Sequence, residues 1–427
     1  MPFLHSPVRA PSRIAMTSWT LVAALLSLQT QHASSAGAPQ FTARPANCQN
    51  TSGPFETWLA AFKVEAQKRG VRPQTLQTAL NGITYDQQII YIDRGQSFFA
   101  QSFLDFQGKL ASNNRLQNGL TQMKKHAGTF QRAETEFGVP AAIITAFWAL
   151  ESDFGAGIGK RPVLRSLVTL AWDCRRGEMF REELHAALAI IDRGDLVPEE
   201  MISSWAGELG QTQFLPTHYL KNAVDYDGDG KRNLFKSAPD VIGSTGNFIR
   251  SLGWAKGQPW LEEVRVPTQM PWEQAGLDVK LARTAWTKLG VTKANGQPLA
   301  NDGLEASLIL LQGRGGPAFL AYPNFKIFTE WNQSLNYATT AAYLATRLDG
   351  AGPMSRGPAP GAPLSMEQLK ELQGLLARGG YGDVGAIDGK LGYATRAAIR
   401  QAQIKLGQPA DSYPTLDLIV RLQGRRP

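Results

Sequence analysis

The stretch GAGPMSRGPAPGAP, residues 350–363, constrains this chain more than any other feature. Its prolines lack the backbone N–H that a helix or a sheet ladder needs, and its glycines lose the most entropy on ordering. Neither helix nor strand should cross it. It reads as a flexible to semi-extended linker. It divides the 427 residues into a long block, 54–349, and a short one, 364–427.

The short block patterns as three helices. Ser365 with Gln368 three residues on fits a capping box. Leu369, Leu372, Leu375 and Leu376 then mark one helical face, and residues 394–406 and 414–422 supply two further helices. A core this small is marginal, which suits a binding module more than a catalytic one. The long block is helical from its start, with Phe55, Trp58, Leu59 and Phe62 at three- and four-residue spacing. Helical signals run through Leu252, including a helix opened by Pro140. Residues 265–330 change character: a helix is predicted over 279–289, then short strands at 306–311 and 324–328. The fold class that follows is mainly α, with a small β-containing part.

Residues 1–36 read as an export signal. Arg9 and Arg13 give a positive start without any acid. Residues 17–28 are apolar but too short to span a bilayer, and Ser34-Ser35-Ala36 suits cleavage. Residues 37–53 form an Ala/Pro/Gly/Ser-rich leader. Cys48 does not directly follow the apolar run, which argues against lipid attachment. No other apolar stretch approaches membrane length, so the mature chain is expected to be soluble and exported. The formal charge of +8 falls to +6 when residues 1–36 leave, since they hold those two arginines and no acid. Such a charge suits an anionic partner: nucleic acid, a membrane surface or a cell-wall polymer. Cys48 and Cys174 are the only cysteines. In an exported chain they form either a disulfide or two free thiols. Two cysteines are too few for a zinc site, and a Cys174–His185 nucleophile pair rests on proximity alone.

Three stretches carry chemistry. AFWALESDFGAGIGK, residues 146–160, sets the single acid Glu151 behind an apolar run. Walled in by Phe147, Trp148 and Leu150, it would hold its proton near neutrality and could donate it; exposed, it would be an ordinary helix-end charge. The glycines that follow do not bind phosphate. Phe154 and Arg161 break the P-loop pattern, and glycines at 155, 157 and 159 do not match GxGxxG. Gly155 is instead suited to end the helix. SWAGELGQTQFLPTHY, residues 204–219, interleaves Ser204, Gln211, Gln213 and Thr217 with Trp205, Phe214 and Tyr219. Neutral hydrogen-bonding groups among aromatics fit a sugar; a tight capped loop is the other reading. DYDGDGKRN places Asp225, Asp227 and Asp229 at positions 1, 3 and 5 of a calcium loop, with Gly230 at the sharp turn and Asn233 at position 9. Position 12 is Lys236 rather than glutamate, so Asp240 is the candidate to complete the shell.

Together these stretches resemble the membrane-bound lytic transglycosylase B family of peptidoglycan-cleaving enzymes, over roughly residues 52–348. The resemblance rests on FWALESDFG, SWAGELGQTQF, AVDYDGDG with Asp240, Gly253-Trp254, and NFKIFTEWNQSLNY at 324–337. The C-terminal LQGLLARGGY…AIDGKLGYATRAAIRQAQ is similar to the peptidoglycan-binding domain often fused to such enzymes. The resemblance implies a lysozyme-like α+β catalytic domain, followed by a small three-helix domain. It implies Glu151 as catalytic acid/base, with Ser204, Gln213, Asn332 and Tyr337 contacting substrate. Asp225, Asp227, Asp229, the carbonyl of Lys231 and Asp240 would hold one structural Ca2+, with no organic cofactor. The implied partner is peptidoglycan glycan strands rather than nucleic acid, met in the periplasm by a monomer.

Four departures bear on these expectations. Trp331 replaces a tyrosine, which would take a hydroxyl from the site. The calcium loop is one residue longer than in some members, Glu208 stands where many have alanine, and Ala402 replaces a phenylalanine in the small module. A lyase-like reaction needs one carboxylate for both proton transfers. The rival readings are a hydrolytic muramidase with Glu208 as second carboxylate, about 6.5–9.5 Å away, and a non-catalytic wall-binding protein.

Overall fold

The computed structural model describes residue 41, residues 43–95 and residues 101–424. The predicted export signal, 1–36, and part of the leader lie outside these. Seventeen α-helices and seven short strands are found among the described residues. No helix there is long and apolar enough to cross a membrane.

The centre of the larger body is the helix Ala141–Ser152, AAIITAFWALES, in which residues 142–152 are all buried. A helix apolar on every side must be wrapped by others. It is packed by Asn113–Lys125, Ala127–Phe137, Ala238–Ser251 and Leu335–Leu348. The pair Val163–Trp172 and Gly177–Arg193 forms a second layer. Cys48 and Cys174 are joined in a disulfide, which fastens the leader to the turn between that pair. Arg44 N–H adds a bond to the Arg175 carbonyl at 2.8 Å.

The β-containing part is a five-stranded antiparallel sheet. In spatial order its strands are Leu281–Ala282, Glu305–Leu310, Ala318–Ala321, Leu261–Arg265 and Thr292–Lys293. The strand expected at 306–311 is present. The one expected at 324–328 is not: Phe325–Trp331 is a helix, and the strand beside Glu305–Leu310 is Ala318–Ala321, pairing Leu308 with Leu320. A short apolar run is ambiguous by period alone. The helix expected at 279–289 is also shorter, Arg283–Lys288, because Leu281 and Ala282 pair with Ala306 and Glu305.

The C-terminal helices are Met366–Arg378, Tyr393–Lys405 and Leu416–Leu422, and the capping box of Ser365 and Gln368 is formed. Ala402 is fully buried there. The linker corrects its own prediction of flexibility. It is extended but bonded along its length: Ser355 N–H to Glu263 Oε1 at 2.7 Å, Ala359 N–H to Gly315 O at 2.9 Å and Gly361 N–H to Gln312 O at 2.8 Å. Gly357 explains the fit, since a Cβ there would stand 2.3 Å from the Gly315 carbonyl oxygen. Arg396, buried in the small module, reaches the Leu311 carbonyl at 3.0 Å. The module is therefore seated on the sheet domain.

Candidate active site

Glu151 lies in the last turn of Ala141–Ser152 and keeps 8% of its surface exposed. The helix does not end at Gly155, as its composition suggests. It ends at Ser152, and Asp153, Phe154 and Gly155 all take left-handed φ (51°, 60° and 91°). Gly155 serves another purpose: a Cβ there would meet the Gln211 side chain at 2.8 Å. Gly159 likewise could carry none, because the Ser203 carbonyl oxygen would be 2.3 Å away. These glycines let 203–211 press against the turn that follows Glu151.

Gln211 locks that contact. It accepts from Trp148 Nε1 at 2.8 Å and donates to the Phe235 carbonyl at 2.9 Å, while its own carbonyl accepts from Ser152 Oγ at 2.5 Å. Composition marked Gln211 and Thr217 as sugar-facing groups. The structure instead spends Gln211 on this lock and Thr217 on Glu183, through its backbone N–H at 2.9 Å and its hydroxyl at 2.8 Å.

Two donors converge on Glu151 from far along the chain. Trp331 Nε1–H bonds Oε1 at 2.8 Å, and the Tyr337 hydroxyl donates to the same oxygen. The tyrosine hydroxyl is absent, as expected, and an indole N–H supplies a donor in its place. Trp331 is aimed by a clamp of rings, stacking on Phe147 at 4.0 Å between centroids and meeting Phe214 at 5.8 Å and Phe248 at 5.3 Å. Sequence reading missed this because the residue registered only as a departure. Oε2 of Glu151 has no hydrogen-bond partner among the described residues. Burial pushes the carboxyl up to about 7, against the opposing pull of Tyr337 and Trp331, and the charge of Glu208 adds to the rise. Desolvation favours the neutral form. The result is a carboxyl with one oxygen held and the other free.

The remaining residues divide. Tyr337 is fully buried and gives its hydroxyl to Glu151, so it is a support for the acid rather than a sugar contact. Gln213, at φ 51°, spends its amide nitrogen on Ser203 Oγ at 3.1 Å and Gly210 O at 2.8 Å, leaving its oxygen free among the described residues. Asn332, 5% exposed, caps the next turn through Ser334 N–H at 2.9 Å. Ser204 is half-buried and donates to Glu208 Oε2. Glu208 is 1% exposed, and its Oε1 is enclosed without a partner.

Asp225, Asp227 and Asp229 bring carboxylate oxygens within 4.8 Å of one another, on a loop shaped by N–H bonds from Gly228 and Gly230 to Asp225 at 2.7 and 2.8 Å. This donor set fits a hard cation that takes oxygen ligands. Asp240 stands outside this converging cluster. Its buried carboxylate accepts the N–H groups of Tyr226 at 2.7 Å and Asn233 at 2.6 Å, bracing the loop from beneath.

A helical domain holding a buried, protonatable carboxyl with one unengaged oxygen, beside a polar, aromatic-lined segment, has the form of a general-acid site. Comparison with known proteins narrows it. The transglycosylase SLT domain family matches residues 54–346, and the peptidoglycan binding domain family matches 365–422. The chain belongs to the transglycosylase SLT domain family. Membrane-bound lytic murein transglycosylase B of Escherichia coli (strain K12) is 33% identical over 239 residues, 56% of this chain, and the match spans 64% of that relative's length. The crystal structure of SltB3 from Pseudomonas aeruginosa in complex with NAG-anhNAM-pentapeptide superposes with a TM-score of 0.81 at 38% identity, covering 87% of this chain and 100% of that one. Escherichia coli Slt35 in complex with calcium gives 0.60 at 29% identity, covering 69% and 93%.

Proposed function

We propose that the chain is a peptidoglycan lytic transglycosylase, with Glu151 as its single catalytic acid/base. One observation carries this: Glu151 has one oxygen held by Trp331 and Tyr337 and the other unengaged, on a carboxyl that burial pushes up to about 7. Glu151 protonates the oxygen linking N-acetylmuramic acid to N-acetylglucosamine, and that bond breaks. The substrate's acetamido group stabilises the positive anomeric carbon. Glu151, now a carboxylate steadied by its two donors, takes the proton of the C6 hydroxyl as that oxygen closes on the anomeric carbon. The product is a 1,6-anhydro sugar, and Glu151 ends as it began. Gln213 and Ser204 line the sugar side. The relatives whose names carry murein transglycosylase and NAG-anhNAM support the same chemistry.

The hydrolytic alternative needs a second carboxylate able to hold a water against the sugar. Glu208 is the acid whose charge reaches Glu151, but it is 1% exposed and Ser204 covers its Oε2. Digestion of cell-wall sacculi tests the choice. Anhydro-muramic ends are expected; reducing muramic ends would sink the proposal.

The same reading makes the chain exported and periplasmic, with residues 1–36 as a removed signal and 365–422 holding it on peptidoglycan. A structural Ca2+ is held by Asp225, Asp227, Asp229 and the carbonyl of Lys231, neutralising three converging carboxylates. Support comes from that convergence and from the likeness to calcium-bound Slt35.

A further inference from the structure

Glu208 is the buried acid that the chemistry above leaves unused. Burial favours its neutral form, so the groups packed around it decide how it bonds. Arg175 and Arg176 both bond Asp93, whose side chain is 1% exposed. Two guanidiniums thus share one carboxylate, and one positive charge is left over. Arg176 and Glu208 attract one another, and the Nε–H of Arg176 is buried without a partner, as is Oε1 of Glu208. Arg176 lies 5.8 Å from the ring of Trp205, in the same segment as Glu208. Burial raises the Glu208 carboxyl, while the Ser204 hydroxyl, nearby backbone N–H groups and the charge of Arg176 pull it down.

The Oε2 of Glu208 acts as the acceptor toward the Ser204 hydroxyl. Ser204 therefore spends its one proton inward on Oε2. Ser204 remains half-buried rather than enclosed, and what its oxygen still offers is lone pairs. We propose that Glu208 is a positioning residue that fixes Ser204 as a hydrogen-bond acceptor at the cleft, selecting an O–H or amide N–H donor on the sugar. Glu208 touches neither substrate nor the reacting atoms, and acts only through Ser204. The inference rests on the glycan-cleaving reading of the cleft.

The test is a double-mutant cycle for binding, in full-length protein carrying E151Q so that no turnover intrudes. The probe is a tetrasaccharide of alternating N-acetylglucosamine and N-acetylmuramic acid, titrated calorimetrically. S204A and E208A should each weaken binding about tenfold, and the double variant no more than either, because one hydrogen bond to the sugar is lost in all three. E208Q keeps an acceptor oxygen for Ser204 and should bind within about threefold of the parent, the small residue of an intact hydrogen bond. It also supplies the answer if E208A does not fold. Equal losses in E208Q and E208A, or losses that multiply in the double variant, would overturn the proposal. Sacculus digestion by the unmodified protein is read separately. Absence of anhydro ends there removes the proposed reaction and leaves the binding cycle to judge Glu208.

Discussion

Two helices each bury a glutamate that desolvation pushes up to about 7: Glu151 in Ala141–Ser152 and Glu183 in Gly177–Arg193. Their exposures are close, 8% and 5%. Their wiring is not. Both oxygens of Glu183 are tied to Thr217, which fastens the start of the helix Pro216–Asn222. Glu151 is tied through one oxygen only. A raised pKa is therefore no mark of a catalytic acid by itself; an unengaged oxygen on the open side is what separates a proton donor from a brace.

The sharpest way to break the comparison is to neutralise each acid. E151Q should lower anhydro-product formation on the order of 10^2–10^4-fold, as removal of a general acid does, whereas E183Q should stay within about tenfold once folded. Equal losses would erase the distinction. Removing a donor probes the next level. Y337F should slow turnover roughly tenfold, since a hydrogen bond to a charged group is worth about 1.5–3 kcal/mol. It should also move the basic limb of the pH–rate profile upward, because Tyr337 and Trp331 hold Glu151 down while burial and Glu208 push it up. In the unmodified protein that limb should fall through about pH 7, where Glu151 loses the proton it must donate.

Stability should respond with a definite sign. Below about 4.5, the ordinary value, Glu151 is neutral in folded and unfolded chains alike. Between there and about 7 the unfolded chain releases a proton that the fold retains, so this carboxyl lowers stability as pH rises. E151Q should thus stabilise the protein by roughly 3 kcal/mol at pH 8 and hardly at all at pH 4. E183Q removes the same pH-dependent cost, since Glu183 is also pushed up to about 7. An amide has only one acceptor oxygen where Thr217 presents two donors, so the gain at pH 8 should be smaller and at pH 4 E183Q should destabilise. Urea unfolding at both pH values reads both effects. The smallest change is expected from calcium: saturating ion should raise Tm by roughly 5 °C, and D227N should abolish that rise.

Much of this was legible along the chain. The acid behind an apolar run, the Asp-x-Asp-x-Asp-Gly spacing, the capping box at Ser365 and the helical periodicity from Phe55 each depend on residues within a turn or a loop of one another. The structure keeps all of them. What could not be read were contacts between distant segments. Trp331 and Tyr337 stand 180 and 186 positions from the acid they hold. Asp240 matched a ligand position, yet its oxygens face backbone N–H groups instead. The linker composition argued for freedom until Gly315 and Gln312 proved to be its partners.

The sequence by itself determined most of the helical segments, where the chain divides and that Glu151 lies in an apolar setting, because propensity and period act over a few residues. Tertiary structure alone decided that Glu151 keeps a free oxygen, that Glu183 is tied to Thr217 and Glu208 to Ser204, and that the small module is seated rather than tethered. Desolvation and hydrogen-bond satisfaction are set by every element that closes around a group, and no local stretch contains them.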